Sequence, residues 1–181
     1  NQNILLLMPA SRPQELRYVL PTFMKAAKKL QQKYPSLVVY IPSCRSSFDE
    51  IFKKAFRKYQ VKGHVISQKD SAKLKPYIYS LTKIALCKSG TVNMELALYG
   101  IPQIVGYRVS RVTAFIAKKI LNFKVRFISP VNLLVNKLII PEFVQREFDE
   151  KKIFYKSCRI LEGKSEKIKI KKGYAFLKKE L

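Results

Sequence analysis

The sequence predicts an α/β fold, a parallel sheet flanked by helices, and three observations carry that prediction. Short continuous apolar runs, such as residues 4–8 and 84–87, are too short for helices and suit strands covered on both faces. Between such runs lie stretches with apolar residues three and four apart and lysines opposite, the pattern of helices packed by one face. Strand and helix then alternate with few interruptions, which implies parallel pairing through right-handed crossovers.

In chain order, residues 4–8 form the first strand. A helix over 13–34 follows, with Leu16, Val19, Leu20, Phe23, Ala26, Ala27 and Leu30 on its apolar side. Pro21 lies inside that pattern and predicts a kink or a restart near Leu20. Residues 37–41 form the second strand; Phe48, Ile51, Phe52, Ala55 and Phe56 repeat at helical spacing. Val65 and Ile66 make a short third strand, and 71–79 reads as a short helix that contains Pro76. The fourth strand, 84–87, leads into a helix from Val92 to Leu98. Gly100 and Ile101-Pro102 stop that helix, and 103–107 is the fifth strand. Further on, 112–120 reads as a helix, 125–128 as a sixth strand, and 142–146 and 150–161 as helices. Asp149 is a natural N-cap for the last of these and Gly163 its stop. Residues 164–181 alternate lysine with Ile168, Ile170, Tyr174, Phe176 and Leu177. They read either as a basic helix that packs on another domain, another subunit or a membrane surface, or as a frayed tail. The chain therefore divides into a domain over 1–162 and a basic C-terminal helix or tail over 163–181, with no internal repeats.

Two of the strand ends carry chemistry. The fourth strand runs through Lys88 into Ser89-Gly90-Thr91 and a helix. Such a turn offers unpaired backbone amides and two hydroxyls at a helix start, where negative charge is favoured. Gly90 lets a phosphate approach the backbone without meeting a Cβ. Glu95, about one turn after Thr91, could accept hydrogen bonds from sugar hydroxyls. The plain alternative is a capped helix in an ordinary turn with Glu95 solvated. The first strand ends likewise in Pro9-Ala10-Ser11-Arg12. Ligands of parallel sheets bind beyond the carboxyl ends of strands, so both turns can face one crevice.

The composition bounds the partners. Lys and Arg number 36 against 12 Asp and Glu, a net charge of +24. That charge fits an anionic membrane surface, an anionic substrate or nucleic acid, or lysines that simply cover solvated faces. Lysines outnumber arginines and are the weaker choice for bidentate phosphate recognition. Cys44, Cys87 and Cys158 are far apart, with no Cys-x-x-Cys pair, and the single His64 completes no metal site with them. Reduced, buried cysteines in a cytosolic protein are expected, with His64 at a strand start and satisfied by hydrogen bonds. No apolar run approaches the ~20 residues that span a bilayer. The absence of a signal peptide and the first residue, Asn1, point to a segment of a longer polypeptide.

Five motifs occur in order: Pro9-Ala10-Ser11-Arg12 with Glu15, Ser89-Gly90-Thr91 with Glu95, Gly100-Ile101-Pro102 leading to Tyr107-Arg108, Val131-Asn132-Leu133-Leu134, and Pro141-Glu142-Phe143-Val144-Gln145. With these motifs, residues 5–160 resemble the C-terminal half of lipid-A-disaccharide synthases. Where that family has Leu-Pro-Gly-Ser-Arg, this chain has Ala10 in place of the glycine. Its Pro-Asn-Leu-Leu has Val131, with the proline one place early at Pro130, and its Ala-Gly-Arg-Glu is Val135-Asn136-Lys137-Leu138.

The resemblance implies a Rossmann-like domain that is one half of a GT-B fold. It implies the donor half of an inverting glycosyltransferase, moving a diacylglucosamine from UDP-2,3-diacylglucosamine to 2,3-diacylglucosamine 1-phosphate. The product would be the β-1,6-linked lipid A disaccharide with UDP, formed without a cofactor or metal. Arg12, Ser89, Gly90 and Thr91 are the expected diphosphate ligands, with Arg108 a weaker candidate, and Ser11 is counted among the nucleotide-binding residues. Glu95 is assigned to the ribose, and Asn132 and Gln145 to nucleotide or sugar. The general base and acceptor site are expected in an N-terminal half, so this chain would bind but not turn over. Peripheral attachment to the inner face of the membrane is expected, and a homodimer stays open. The rival reading is a non-enzymatic basic nucleic-acid-binding module. It lacks an aromatic-basic stacking platform and a recognisable major-groove helix.

Overall fold

The computed structural model describes residues 3–110 and 126–181 of the chain. Strands and helices alternate as β1 (Asn3–Met8), α1 (Pro13–Lys33), β2 (Leu37–Pro42), α2 (Asp49–Tyr59), β3 (Gly63–Ile66), α3 (Gln68–Leu81), β4 (Thr82–Lys88), α4 (Val92–Leu98) and β5 (Gln103–Tyr107). Then come α5 (Pro130–Leu134), β6 (Glu142–Val144), α6 (Glu150–Glu162) and α7 (Lys164–Lys179), with 3-10 turns at Ser46–Phe48 and Gln145–Glu147.

The strands form one sheet in the order β3-β2-β1-β4-β5-β6. Every neighbouring pair is parallel. This is the Rossmann order: the chain winds outward from β1, then crosses back to lay β4 on the other side of β1. Burial follows from it. Ile4 to Leu7 in β1 and Ile84 to Cys87 in β4 are fully buried, whereas edge strands β3 and β6 stay partly exposed. That gradient is why the central strands read as unbroken apolar runs and the edges do not.

Pro21 does not restart α1, which runs unbroken from Pro13 to Lys33. α3 passes Pro76 in the same way. The carbonyls that lose their helical donor belong to Arg17 and Ala72, both on exposed residues, where water can replace the bond. Val19, Leu20, Phe23 and Met24 are buried on both sides of Pro21 and hold the helix to the sheet.

The C-terminal part departs most from expectation. The helix expected over 112–120 lies outside the described residues. Of the strand expected over 125–128, the described residues 126–128 are not extended in the sheet. The amides of Ile128 and Ser129 donate instead to the Glu142 carboxylate, at 2.7 and 3.0 Å. The sixth strand is Glu142–Val144, read from sequence as the start of a helix; it pairs with β5 from Val105↔Glu142 to Tyr107↔Val144. Asp149 caps α6 as expected, accepting from the Lys151 amide at 2.8 Å. Lys164–Lys179 is helical, and its Ile170, Tyr174 and Leu177 are buried in the common core.

Two close approaches set this region. Phe148 meets Phe23 edge-to-face at 5.1 Å and packs against Gly106, where a Cβ would stand 2.1 Å from the ring. Tyr174 donates from its hydroxyl to the Ile101 carbonyl at 2.9 Å. Cys87 and Cys158 are buried free thiols, but Cys44 is exposed, because it falls in the loop beyond β2 and not in a strand. His64 lies within β3, exposed, its ring tilted against Tyr40 at 5.1 Å.

Candidate functional site

The reversal of winding lies between β1 and β4, and both candidate turns leave the carboxyl ends of those adjacent strands. Beyond β1, Ser11 and Arg12 are exposed. Arg12 is the extended residue before α1 and its carbonyl accepts from the Glu15 and Leu16 amides, both at 3.2 Å. Pro13, whose φ is preset for the first helical position, fixes the turn. The Arg12 guanidinium has no hydrogen bond or ion pair among the described residues. Ala10, half-buried, packs against the core.

Beyond β4, the Ser-Gly-Thr turn is held from beneath. The Ser89 hydroxyl donates to the Ile128 carbonyl at 2.5 Å, and the Gly90 amide donates to Asn93 Oδ1 at 2.8 Å. Asn93 is fully buried. Its amide nitrogen donates to the Lys88 carbonyl at 3.3 Å and to Gln103 Oε1 at 3.1 Å. Gln103 Nε2 in turn donates to the Asn93 carbonyl at 2.9 Å and to the Tyr174 hydroxyl at 3.0 Å. A polar chain therefore runs from α7 to the underside of the turn, each member satisfied, as buried polar groups must be. Burial pushes the adjacent Cys87 thiol up to about 12, opposed by the Asn93 hydrogen bond, so it stays protonated and unreactive. On the outer side, Thr91 is exposed. The amides of Thr91 and Val92 have no acceptor among the described residues, and nothing lies within 4 Å of where a Gly90 Cβ would be. Glu95, half-buried in the first turn of α4, is paired with Lys75 at 2.8 Å.

The remaining candidates are placed differently. Arg108 Nε and one terminal nitrogen donate to the Gln145 carbonyl at 3.3 and 3.1 Å. The same terminal nitrogen donates to the Phe148 carbonyl, and the guanidinium stacks 5.3 Å from the Phe148 ring. Gln145 takes a left-handed backbone, φ 52°, a conformation that costs a non-glycine residue and is retained where its surroundings enforce it. Here Arg108 gathers the carbonyls that the turn directs inward. Asn132 is fully buried and does not face the crevice. It accepts from the Ile139 and Ile140 amides at 2.8 and 3.0 Å and donates to the Ile140 carbonyl at 2.8 Å and Glu142 Oε1 at 2.7 Å. Glu142 also receives the Ser129 hydroxyl at 2.6 Å. Asn132 and Glu142 are thus a brace under the loop that carries Ile128, and Ile128 in turn holds Ser89.

The structure brings Ser11, Arg12, Ser89, Gly90 and Thr91 to adjoining strand ends, sets Glu95 one turn deeper, and places Arg108 and Gln145 beyond β5 and β6. Sequence reasoning missed Lys88, which pairs with Glu15 at 2.6 Å and so ties the two turns together. It also missed Asn93, Gln103 and Glu142. The signal was present: Asn93 and Gln103 are amides inside apolar segments, where only a satisfied partner makes burial tolerable. No group of His, Cys, Asp and Glu able to hold a metal occurs among the described residues. A cleft of about 430 Å³ between α1 and α6, lined by Lys29, Gln32, Lys33, Lys151, Phe154 and Tyr155, lies away from both turns.

A family model described as lipid-A-disaccharide synthetase matches residues 1–180. A lipid-A-disaccharide synthase from Prochlorococcus marinus is 45% identical over 180 residues, 99% of this chain and 46% of that protein. The chain spans about half the length of the curated relatives it matches. Among solved structures, the C-terminal CMP-Kdo binding domain of WaaA from Acinetobacter baumannii aligns with TM-score 0.62 at 10% identity, covering 98% of this chain and 89% of that one. WaaG, a glycosyltransferase involved in lipopolysaccharide biosynthesis, aligns with TM-score 0.63 at 13% identity, covering 98% of this chain and 43% of that one. The fold is the Rossmann-like half of a GT-B arrangement.

Proposed function

The chain belongs to the lipid-A-disaccharide synthetase family, and from that premise we propose that it is the donor-binding half of an inverting glycosyltransferase. The reaction is transfer of a diacylglucosamine from UDP-2,3-diacylglucosamine to 2,3-diacylglucosamine 1-phosphate, with UDP leaving. One observation supports this reading above the rest: two strand-to-helix turns with unengaged donors leave adjacent strands at the switch point of the sheet.

The chemistry follows from where charge develops. As the glycosidic bond breaks, negative charge grows on the departing nucleoside diphosphate, and donors already oriented toward it lower the barrier. Arg12 supplies a charge-assisted, two-pronged contact, and the Thr91 and Val92 amides beside Gly90 supply neutral ones. The Ser89 hydroxyl and the Gly90 amide, already bonded within the protein, hold the turn in shape. Glu95 turns from Lys75 to the ribose hydroxyls when nucleotide enters. Gln145 lies near the sugar, with Arg108 fixing its loop and Asn132 bracing it from inside. The base that deprotonates the acceptor hydroxyl belongs to an N-terminal half, so this chain binds donor without turnover.

UDP should raise the melting temperature of the protein, AMP and inorganic phosphate far less; at a hundredfold excess over Kd the stabilisation is about 2.7 kcal/mol. A melting temperature unmoved by millimolar UDP would sink the donor-site reading. The lipid substrates and the +24 charge further support attachment to the inner membrane face. No described helix is long and apolar enough to cross a membrane. The protein should sediment with anionic vesicles at 0.01 M salt and leave them near 1 M, where the Debye length falls from about 30 to about 3 Å. Equal capture by neutral vesicles would exclude charge as the cause.

A further inference from the structure

Lys88 is the last residue of β4 and immediately precedes Ser89-Gly90-Thr91. Its side chain is only 20% exposed, and its partner Glu15, in the first turn of α1, only 13%. The ammonium stands 2.6 Å from Glu15 Oε1 and 5.6 Å from the centroid of the Tyr107 ring, at the end of β5. It is therefore enclosed by the first turn of α1 and the ends of β4 and β5, at the reversal of the sheet.

Two features of this pair exceed what a structural tie requires. A lysine ammonium has three donors, and among the described residues one is engaged, by Glu15. Glu15 Oε2 is buried with no hydrogen-bond partner among the described residues. A buried ion pair returns its desolvation cost only when its remaining donors and acceptors are also met. Arg108, the other cation near this crevice, has Nε and one terminal nitrogen held by the Gln145 and Phe148 carbonyls.

We propose that Lys88 is a diphosphate ligand, the second cation of the donor site beside Arg12, and that Glu15 is the positioning residue that holds its ammonium toward the crevice. The inference rests on the donor-site reading above. Its chemistry is that of a point charge: Lys88 meets the phosphate oxygens that gain charge as the leaving group departs, Arg12 makes the directional contact, and the Glu15 pair keeps the lysine from folding away.

The test is titration of UDP and of uridine into wild type, Lys88→Met, Lys88→Arg and the double variant Glu15→Gln/Lys88→Met. The double variant leaves no unpaired buried charge, so it keeps the fold intact if the single one does not. Both neutral variants should lose about ten- to a hundredfold in UDP affinity, the worth of a hydrogen bond to a charged group, and bind uridine within twofold of wild type. Lys88→Arg should recover most of the loss. UDP affinity unchanged in Lys88→Met and in the double variant, with wild type binding UDP, overturns the role of Lys88 alone. Equal losses for UDP and uridine overturn it also, by showing a collapsed turn. A wild type that does not bind UDP overturns the donor-site reading and this inference with it.

Discussion

Arg12, beyond β1, and Arg108, beyond β5, teach opposite lessons. Arg12 leaves an exposed turn whose own carbonyl starts α1, and its guanidinium is unengaged by the described residues. Arg108 leaves a comparable strand end, yet two backbone carbonyls and an aromatic ring already hold it. The residue type is the same, although Arg108 directly follows β5 and Arg12 is separated from β1 by Pro9-Ala10-Ser11. What differs is whether the surrounding chain turns its own acceptors toward the cation. On the β1 side the loop is short and runs straight into a helix, so its carbonyls go into α1. On the β6 side Gln145 adopts a left-handed backbone, and carbonyls that would otherwise face water converge on Arg108. One arginine keeps its donors unengaged by the described residues; the other closes a loop.

The largest effect that can break this comparison lies beneath the β6 side. Asn132→Ala should cost about 3–4 kcal/mol in urea unfolding, because it strands the Ile139 and Ile140 amides and removes a donor from Glu142 in the interior. If Asn132 instead contacted nucleotide, the variant would keep its stability and lose UDP affinity. The next effect separates the arginines. Arg12→Ala should lower UDP affinity about ten- to a hundredfold while leaving stability within about 0.5 kcal/mol of wild type. Arg108→Ala should do the reverse, losing roughly 2 kcal/mol of stability and less than tenfold in affinity. Equal UDP binding by wild type and Arg12→Ala would make the Ser11-Arg12 turn a structural element only.

How much of this was legible in the sequence depends on where the deciding contacts lie. The centres of β1, β4 and β5, Ile4 to Leu7, Ile84 to Cys87 and Ile104-Val105, are buried and apolar and need no partner to be recognised. The Ser89-Gly90-Thr91 turn is likewise local. Glu142–Val144 is not: three half-exposed residues carry no period, and only pairing with β5 makes them a strand. Ile128 looks like a strand residue until the Glu142 carboxylate, 14 positions away, takes its amide and that of Ser129. Pro21 and Pro76 were legible as breakers, but at Pro21 burial of Val19, Leu20, Phe23 and Met24 outweighs one lost hydrogen bond, and beyond Pro76 Ile78 and Tyr79 anchor the helix. The sequence named Asn132 and Arg108 as notable residues without showing what they hold, since both act through contacts with residues at a distance along the chain.

Gly106 sets a tolerance for the whole β6 side. Phe148 rests where a side chain would otherwise begin, so β5 acts as a hard stop against which the 145–149 segment is seated. A single added carbon at that stop would lift the ring, and with it the carbonyls that grip Arg108 and the backbone of Gln145. Error introduced there is passed on undiminished, because the parts stacked above it are rigid. In this half of the crevice accuracy is a matter of thickness, set by the one residue on β5 that has none to spare.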